Sequence, residues 1–267
     1  MTERNILAEI FETKGRRLRE SLSRAPLEEV RARAVARREG LISHAFRHVL
    51  EAVGRVNVIA EFKRASPSKG DIRAGASARE VAEAYERGGA AAVSVLTEED
   101  YFRGSLRDLA EVRGATRLPV LRKDFIFDDY QVYESAAAGA DALLLIAAML
   151  DDETLRRLLR LTEETLGMDA LVEVHTLEEM RRASASGART VGVNNRDLRT
   201  FRVSLETSHD LARHAPDGAL LVSESGIRGP EDVASLRAAG YRAFLVGETL
   251  MRAGNPEEAL RELVEPV

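Results

Sequence analysis

Eight short runs of Val, Ile, Leu and Ala recur along the chain, at 56–62, 91–96, 119–125, 142–147, 170–175, 190–194, 219–223 and 243–246. Each reads as a strand buried on both faces, the pattern of a parallel sheet covered by helices. Most of the intervals between them, about twenty to thirty-five residues long, carry one amphipathic helical pattern. The punctuation agrees. Ser77 and Ser105 precede helices, Thr176 with Glu179 spells a capping box, Pro230 and Pro256 sit at first helical positions, and Gly139, Gly167, Gly187 and Gly240 fall where helices should stop.

Eight strand–helix units in sequence, with no hairpin signal between them, predict an α/β fold of the (β/α)8 TIM barrel type. A doubly wound open sheet is the alternative, but the first strand is not followed by the G-x-G-x-x-G loop that a dinucleotide-binding sheet carries. Residues 1–55 fall outside the eight units and read as helices over 6–21, 26–38 and 43–53. Too short for a domain of their own, they are expected to form an N-terminal helical extension packed on the barrel of 56–267, giving one structural domain overall.

Composition narrows the function. The chain has 267 residues, 45% hydrophobic and 31% charged, with no Cys and five His. It can form neither disulfides nor a Cys-ligated metal site, and scattered His leave little for a His-rich one. No apolar run approaches the roughly 20 residues of a membrane helix, and residues 1–10 lack the apolar core and cleavage site of a signal peptide; a cytoplasmic location is expected, with no membrane partner. Residues 1–55 hold twelve basic against eight acidic side chains, while the remainder of this chain of net charge −5 is acidic. The arginines of that arm are interleaved with glutamates at helical spacing, a solvated helix face and not a nucleic-acid surface. Lysine is scarce: only Lys14, Lys63, Lys69 and Lys123, against thirty-five arginines. Arginine serves wherever charge alone is needed, but a position that must exchange a proton requires lysine.

In a barrel of this kind the C-terminal ends of the strands surround the active site. Here those ends are polar. The first runs Glu61-Phe62-Lys63, which by alternation points both charges to one side; the third ends Arg122-Lys123-Asp124-Phe125; the fifth Glu173-Val174-His175; the sixth Asn194-Asn195-Arg196; the seventh Glu224-Ser225-Gly226; the eighth Gly247-Glu248. Ion pairs plugging the barrel would explain any one of these. As a set they oppose stability, since each buried ion costs several kcal/mol before pairing returns any of it, so function explains them better. The loops after the seventh and eighth strands each supply a glycine, at Gly226 and Gly247, where this fold frequently holds a phosphate on backbone amides. Glu248 suits that place only if its side chain points away.

The segments 59–70 (Ile-Ala-Glu-Phe-Lys-Arg-Ala-Ser-Pro-Ser-Lys-Gly), 94–98 with 101–105, 121–126, 171–175, 192–198, 222–227 and 244–248 together resemble the indole-3-glycerol phosphate synthase family, which also has an N-terminal helical extension. The resemblance implies a small-molecule anthranilate sugar phosphate as partner, 1-(2-carboxyphenylamino)-1-deoxyribulose 5-phosphate, closing to indole-3-glycerol phosphate with loss of carbon dioxide and water and without a cofactor or metal. By matched position it implies catalytic roles for Glu61, Lys63, Lys123, Glu173 and Asn194. It implies substrate contacts for Ser66, Phe102, Phe125, Arg196, Glu224 and Ser225, and phosphate contacts for Lys63, Ser225, Gly226, Gly247 and Glu248. Lys123 is the expected acid for the ketone oxygen; Lys63, Glu173 and Glu61 share the second proton donation and the base. Glu224 reads equally as a carboxylate orienting Lys or Asn side chains.

Three rivals are weaker. A sugar-phosphate isomerase of histidine biosynthesis would need an acid pair at strands one and five, which Glu61 and Glu173 meet only superficially, and it leaves the lysines unexplained. The isomerase that acts on phosphoribosylanthranilate uses a Cys, absent here. A barrel that merely binds phosphate has no use for matched acids and bases. A monomer or weak homodimer is expected.

Overall fold

The structure, a computed structural model, describes residues 6–198 and 200–265; the first five residues of the N-terminal segment and the last two of the barrel segment lie outside it. Eight strands close a parallel barrel in chain order: β1 (Asn57–Phe62), β2 (Ala92–Leu96), β3 (Val120–Lys123), β4 (Ala142–Ile146), β5 (Asp169–Val174), β6 (Thr190–Asn194), β7 (Leu220–Glu224) and β8 (Ala243–Val246). The seam is made by β1 and β8, in register from Asn57 against Ala243 to Ala60 against Val246.

Two apolar layers follow from the period of two along each strand. Val58, Ala60, Val93, Val120, Leu143, Val172, Val191 and Phe244 face outward into the main core beneath the helices. Ile59, Leu121, Leu144, Leu171, Val222 and Leu245 face inward and fill the barrel. The same inward register, continued toward the C-terminal ends, brings up Glu61, Lys123, Glu173, Asn194 and Glu224. The site therefore stands on an apolar layer.

The N-terminal segment forms α1 (Ile6–Arg24), α2 (Leu27–Arg38) and α3 (Ala45–Leu50). α3 closes the N-terminal end of the barrel with Phe46 and Leu50, both fully buried. Asn57 of β1 donates to Leu50 O at 2.9 Å and Arg242 O at 3.1 Å, satisfying carbonyls that the plug would otherwise strand. α2 packs on the helix Asp129–Ala138, and α1 crosses to the opposite, C-terminal end.

Three details differ from the periodicity. α3 starts late because His44 adopts φ 57° and turns its ring to Asp169. β3 stops at Lys123, because the Asp124 carboxylate accepts from the Phe125 N–H at 2.8 Å and takes the backbone out of the ladder. In the Thr176 capping motif only half of the box forms: Thr176 Oγ1 accepts from Glu179 N, while the Glu179 carboxylate reaches one residue further, to His175. The loop after β1 also holds a small antiparallel pair, Ala65–Ser66 with Gly70–Asp71, which the sequence does not announce. Among the described residues no helix is long and apolar enough to cross a membrane.

Candidate active site

A cavity of about 690 Å³ opens at the C-terminal end of the barrel. Its size suits a small organic ligand. The strand ends build its floor, loops its walls, and Ile6, Leu7 and Ile10 of α1 part of its lining.

Two lysine–carboxylate groups lie on the floor. Lys63 Nζ sits 2.6 Å from Glu61 Oε1, as alternation along β1 requires. Lys123 Nζ sits between acids from two other strands, 2.9 Å from Glu224 Oε2 and 3.3 Å from Glu173 Oε2. Burial alone would pull the Lys123 ammonium toward its neutral form, but Glu224, Glu173 and Glu61 outweigh it and hold it above the ordinary lysine range. Burial likewise pushes both acids up. Glu173 nevertheless ends below the usual carboxylate range, held there by Lys123, then His175 and a hydrogen bond from Asn194. Glu224, fully buried and facing Glu173 and Glu61 as well as Lys123, is pushed up to about 7. Three inward acids thus hold one ammonium in place, and one of them sits near neutrality.

Asn194 is fixed by the Arg196 N–H, which donates to its Oδ1 at 3.0 Å, leaving its amide for Glu173. Its neighbour Asn195 faces the other way: Nδ2 donates to Ser223 Oγ, Glu224 O and Ser225 O at 3.0–3.1 Å and pins the end of β7. Ser225 and Gly226 follow with φ 65° and 85°, a left-handed pair that turns the chain sharply at the cavity wall. Gly247 lines the wall beside β1, and a Cβ there would lie 2.3 Å from Glu61 Oε1 and 3.0 Å from Lys63 Nζ, so the close approach of β8 to that ion pair needs glycine.

The aromatic wall comes from two loops. Phe102 and Phe125 have ring centroids 6.2 Å apart, tilted by 42°, and both line the cavity. The buried Glu98 carboxylate holds the Phe102 loop by accepting from the Asp100, Tyr101 and Phe102 N–H groups at 2.7–3.0 Å. The Phe125 side is held by Asp124, whose buried carboxylate accepts from Thr97 Oγ1 at 2.7 Å, Arg122 at 3.0 Å and Lys14 at 3.0 Å. Lys14 reaches in from α1. Opposite, Arg196 Nη1 donates to Ser68 Oγ at 3.2 Å, joining the β6 and β1 loops. The Glu248 carboxylate is engaged by Arg252 at 3.2 Å, Lys69 at 3.6 Å and Arg196 at 3.8 Å.

Thirteen of the fourteen residues singled out from sequence line this one cavity: Glu61, Lys63, Ser66, Phe102, Lys123, Phe125, Glu173, Asn194, Arg196, Ser225, Gly226, Gly247 and Glu248. Glu224 lies beneath the floor, 1% exposed, with its carboxylate on Lys123. Sequence reasoning missed Lys14, Asp124 and Glu98, whose partners are distant in the chain, and the apolar face of α1. The scarcity of lysine was the one signal pointing to Lys14.

The indole-3-glycerol phosphate synthase family model matches residues 7–263. Similar proteins named indole-3-glycerol phosphate synthase include one from Carboxydothermus hydrogenoformans, 46% identical and covering 97% of this chain and 99% of its own length, and one from Chromobacterium violaceum, 48% identical with 97% of each chain covered. Among solved structures, 3-hexulose-6-phosphate synthase from Salmonella typhimurium aligns over 78% of this chain and 96% of its own with a TM-score of 0.63 at 14% identity. Thiamine phosphate pyrophosphorylase from Pyrococcus furiosus aligns over 78% and 93% with a TM-score of 0.58 at 19% identity. Those two likenesses show the barrel fold alone. With a closed eight-stranded barrel, a charged cavity at its C-terminal end and near-complete coverage by these relatives, the chain belongs to the indole-3-glycerol phosphate synthase family, carboxy-lyases of tryptophan biosynthesis.

Proposed function

We propose that the cavity binds 1-(2-carboxyphenylamino)-1-deoxyribulose 5-phosphate and closes it to indole-3-glycerol phosphate. The observation that carries this reading is the Lys123 ammonium held between Glu173 and Glu224 beside a second pair, Lys63 with Glu61.

The reaction needs two acids and one base. The ring carbon bearing the carboxylate attacks the sugar ketone, and the carbonyl pair moves to oxygen, which takes a proton from Lys123. The bond to the carboxylate breaks, carbon dioxide leaves, and its electron pair restores the aromatic ring. The new hydroxyl departs as water with a proton from Lys63, while a carboxylate removes a proton from the neighbouring methylene carbon. Glu173, held below the usual carboxylate range, is the better base, with Glu61 paired to Lys63 as the alternative. Two protons are donated and one recovered, so each turnover takes one proton from solvent, matching the loss of a carboxylate as carbon dioxide. The scheme calls for no cofactor and no metal.

Phe102 and Phe125 suit the anthranilate ring, and the backbone amides at Ser225, Gly226, Gly247 and Glu248 with Lys63 suit the phosphate. With its carboxylate already engaged, Glu248 offers phosphate only its N–H. Ser66, Asn194 and Arg196 position the substrate between these ends. Glu224 acts through Lys123 and does not touch substrate. The N-terminal helices and barrel work as one domain, in a cytoplasmic monomer or weak homodimer with no nucleic-acid or membrane partner.

The test is to mix the purified protein and a metal chelator with the substrate and follow indole fluorescence. Lys123→Ala should lower kcat by about 10²–10⁴-fold with a modest change in KM. No fluorescence from the unaltered protein, or wild-type turnover in Lys123→Ala, would overturn the assignment.

A further inference from the structure

His175 carries no role in this scheme, yet its ring is boxed in by acids. It stands two residues after Glu173, where the strand alternation returns to the same side. The Glu179 carboxylate accepts from the His175 backbone N–H at 2.7 Å and lies 3.2 Å from its ring Nδ1. A carboxylate only accepts, so Nδ1 carries a hydrogen. The second nitrogen, Nε2, is buried without a hydrogen-bond partner, and Glu173 Oε1 lies 3.4 Å from it. The other Glu173 oxygen faces Lys123. A neutral ring would aim its lone pair at a carboxylate; a protonated ring replaces that repulsion with attraction.

We propose that His175 is a positioning residue for Glu173: anchored through Nδ1 by Glu179, its cationic ring presents Nε2–H to Glu173 Oε1 and keeps Glu173 an oriented carboxylate against Lys123. The charged groups around the ring are Glu173 near the end of β5, Glu179 on the following helix, Glu224 two strands away on β7, and Lys123 beyond Glu173. The directions of titration agree. Burial pulls the imidazole down, but Glu179, Glu173 and Glu224 carry it above the ordinary histidine range, while His175 is among the groups holding Glu173 down. This rests on the reading of Glu173 as the base.

Two measurements on the full chain test it. In ¹⁵N-histidine spectra of the substrate-free protein, both His175 ring nitrogens should stay protonated above the ordinary midpoint of about 6.5. That midpoint should fall in Glu179→Gln. In His175→Gln, the acidic limb of the kcat profile should move up by about one pH unit, a tenfold loss of rate below the limb, with KM within about twofold and plateau kcat within about threefold. A merely structural role would lower kcat by one factor at every pH and leave the limb in place. A ring that titrates at or below 6.5, or an unmoved limb, overturns the proposal. Because the spectra need no substrate, an inactive wild-type protein would sink the reading of the reaction while His175 is still judged by its titration.

Discussion

Gly192→Ala is the most economical test of how Lys123 is held. Gly192 lies in β6 with ordinary strand backbone, so alanine meets no conformational penalty. Its added Cβ would fall 2.0 Å from Glu224 Oε1, with Leu171 Cδ1 at 3.2 Å closing another side. The carboxylate must retreat by about 1.4 Å to reach ordinary contact. At 1% exposure Glu224 has no open space to move into, and its other oxygen is committed to Lys123 at 2.9 Å. The displacement therefore passes to the ammonium. Misplacing a catalytic group by about 1 Å can cost about 10²-fold in rate, near 2.7 kcal/mol of transition-state stabilisation. Because Glu224 lies under the floor, the loss should fall on kcat, with KM within about threefold. The assay is steady-state indole fluorescence over a range of substrate concentration, with circular dichroism to confirm that the barrel is folded. A folded Gly192→Ala protein with kcat within threefold of wild type would refute the idea that Glu224 sets the position of Lys123.

Other perturbations separate the remaining parts. Gly247→Ala places a Cβ 2.3 Å from Glu61 Oε1, so it should lower kcat more than tenfold and does not report on phosphate alone; a pure rise in KM would contradict the geometry. Lys14→Met strips one cation from buried Asp124, which keeps Arg122 and Thr97, and should lower stability by about 1–3 kcal/mol and raise KM as the α1 wall loosens; an unchanged urea midpoint would count against this. His175 is held above its unfolded value, so its contribution to stability is complete below about pH 6.5 and disappears as pH rises through the raised value. Denaturation of wild type and His175→Gln should accordingly differ most near pH 6 and converge in alkali, and a constant difference would refute that linkage.

The barrel was legible because buried parallel strands advertise themselves as apolar runs, and because the inward register that fills the barrel also delivers Glu61, Lys123, Glu173 and Asn194 to one mouth. Glu224 was harder. Its position in the strand matches the others, but whether it meets the cavity or lies behind Lys123 depends on a space that Gly192 leaves on the neighbouring strand. Lys14 joins Asp124 across 110 residues of sequence, a pairing that no periodicity encodes. The Asn194–Asn195 pair was half read: one lines the cavity and the other faces the loop backbone, and alternation assigns sides without saying what waits on each. Where the capping motif at Thr176 departed from its pattern, the departing Glu179 proved to be the anchor of His175.

Both lysines of the floor arise from the first four strands, whereas Glu173, Asn194, Glu224 and the two glycine-bearing loops arise from the last four. Cut between β4 and β5, the chain would yield one fragment with Lys123 lacking the acids of β5 and β7 and another with Glu173 and Glu224 lacking that cation, neither competent alone. Each fragment would carry unmatched charge on its inner face, Lys123 in one and Glu173 with Glu224 in the other, an electrostatic incentive to rejoin in a single orientation. Catalysis recovered on mixing the two would then report closure of the barrel itself, making this enzyme a sensor for half-barrel recombination.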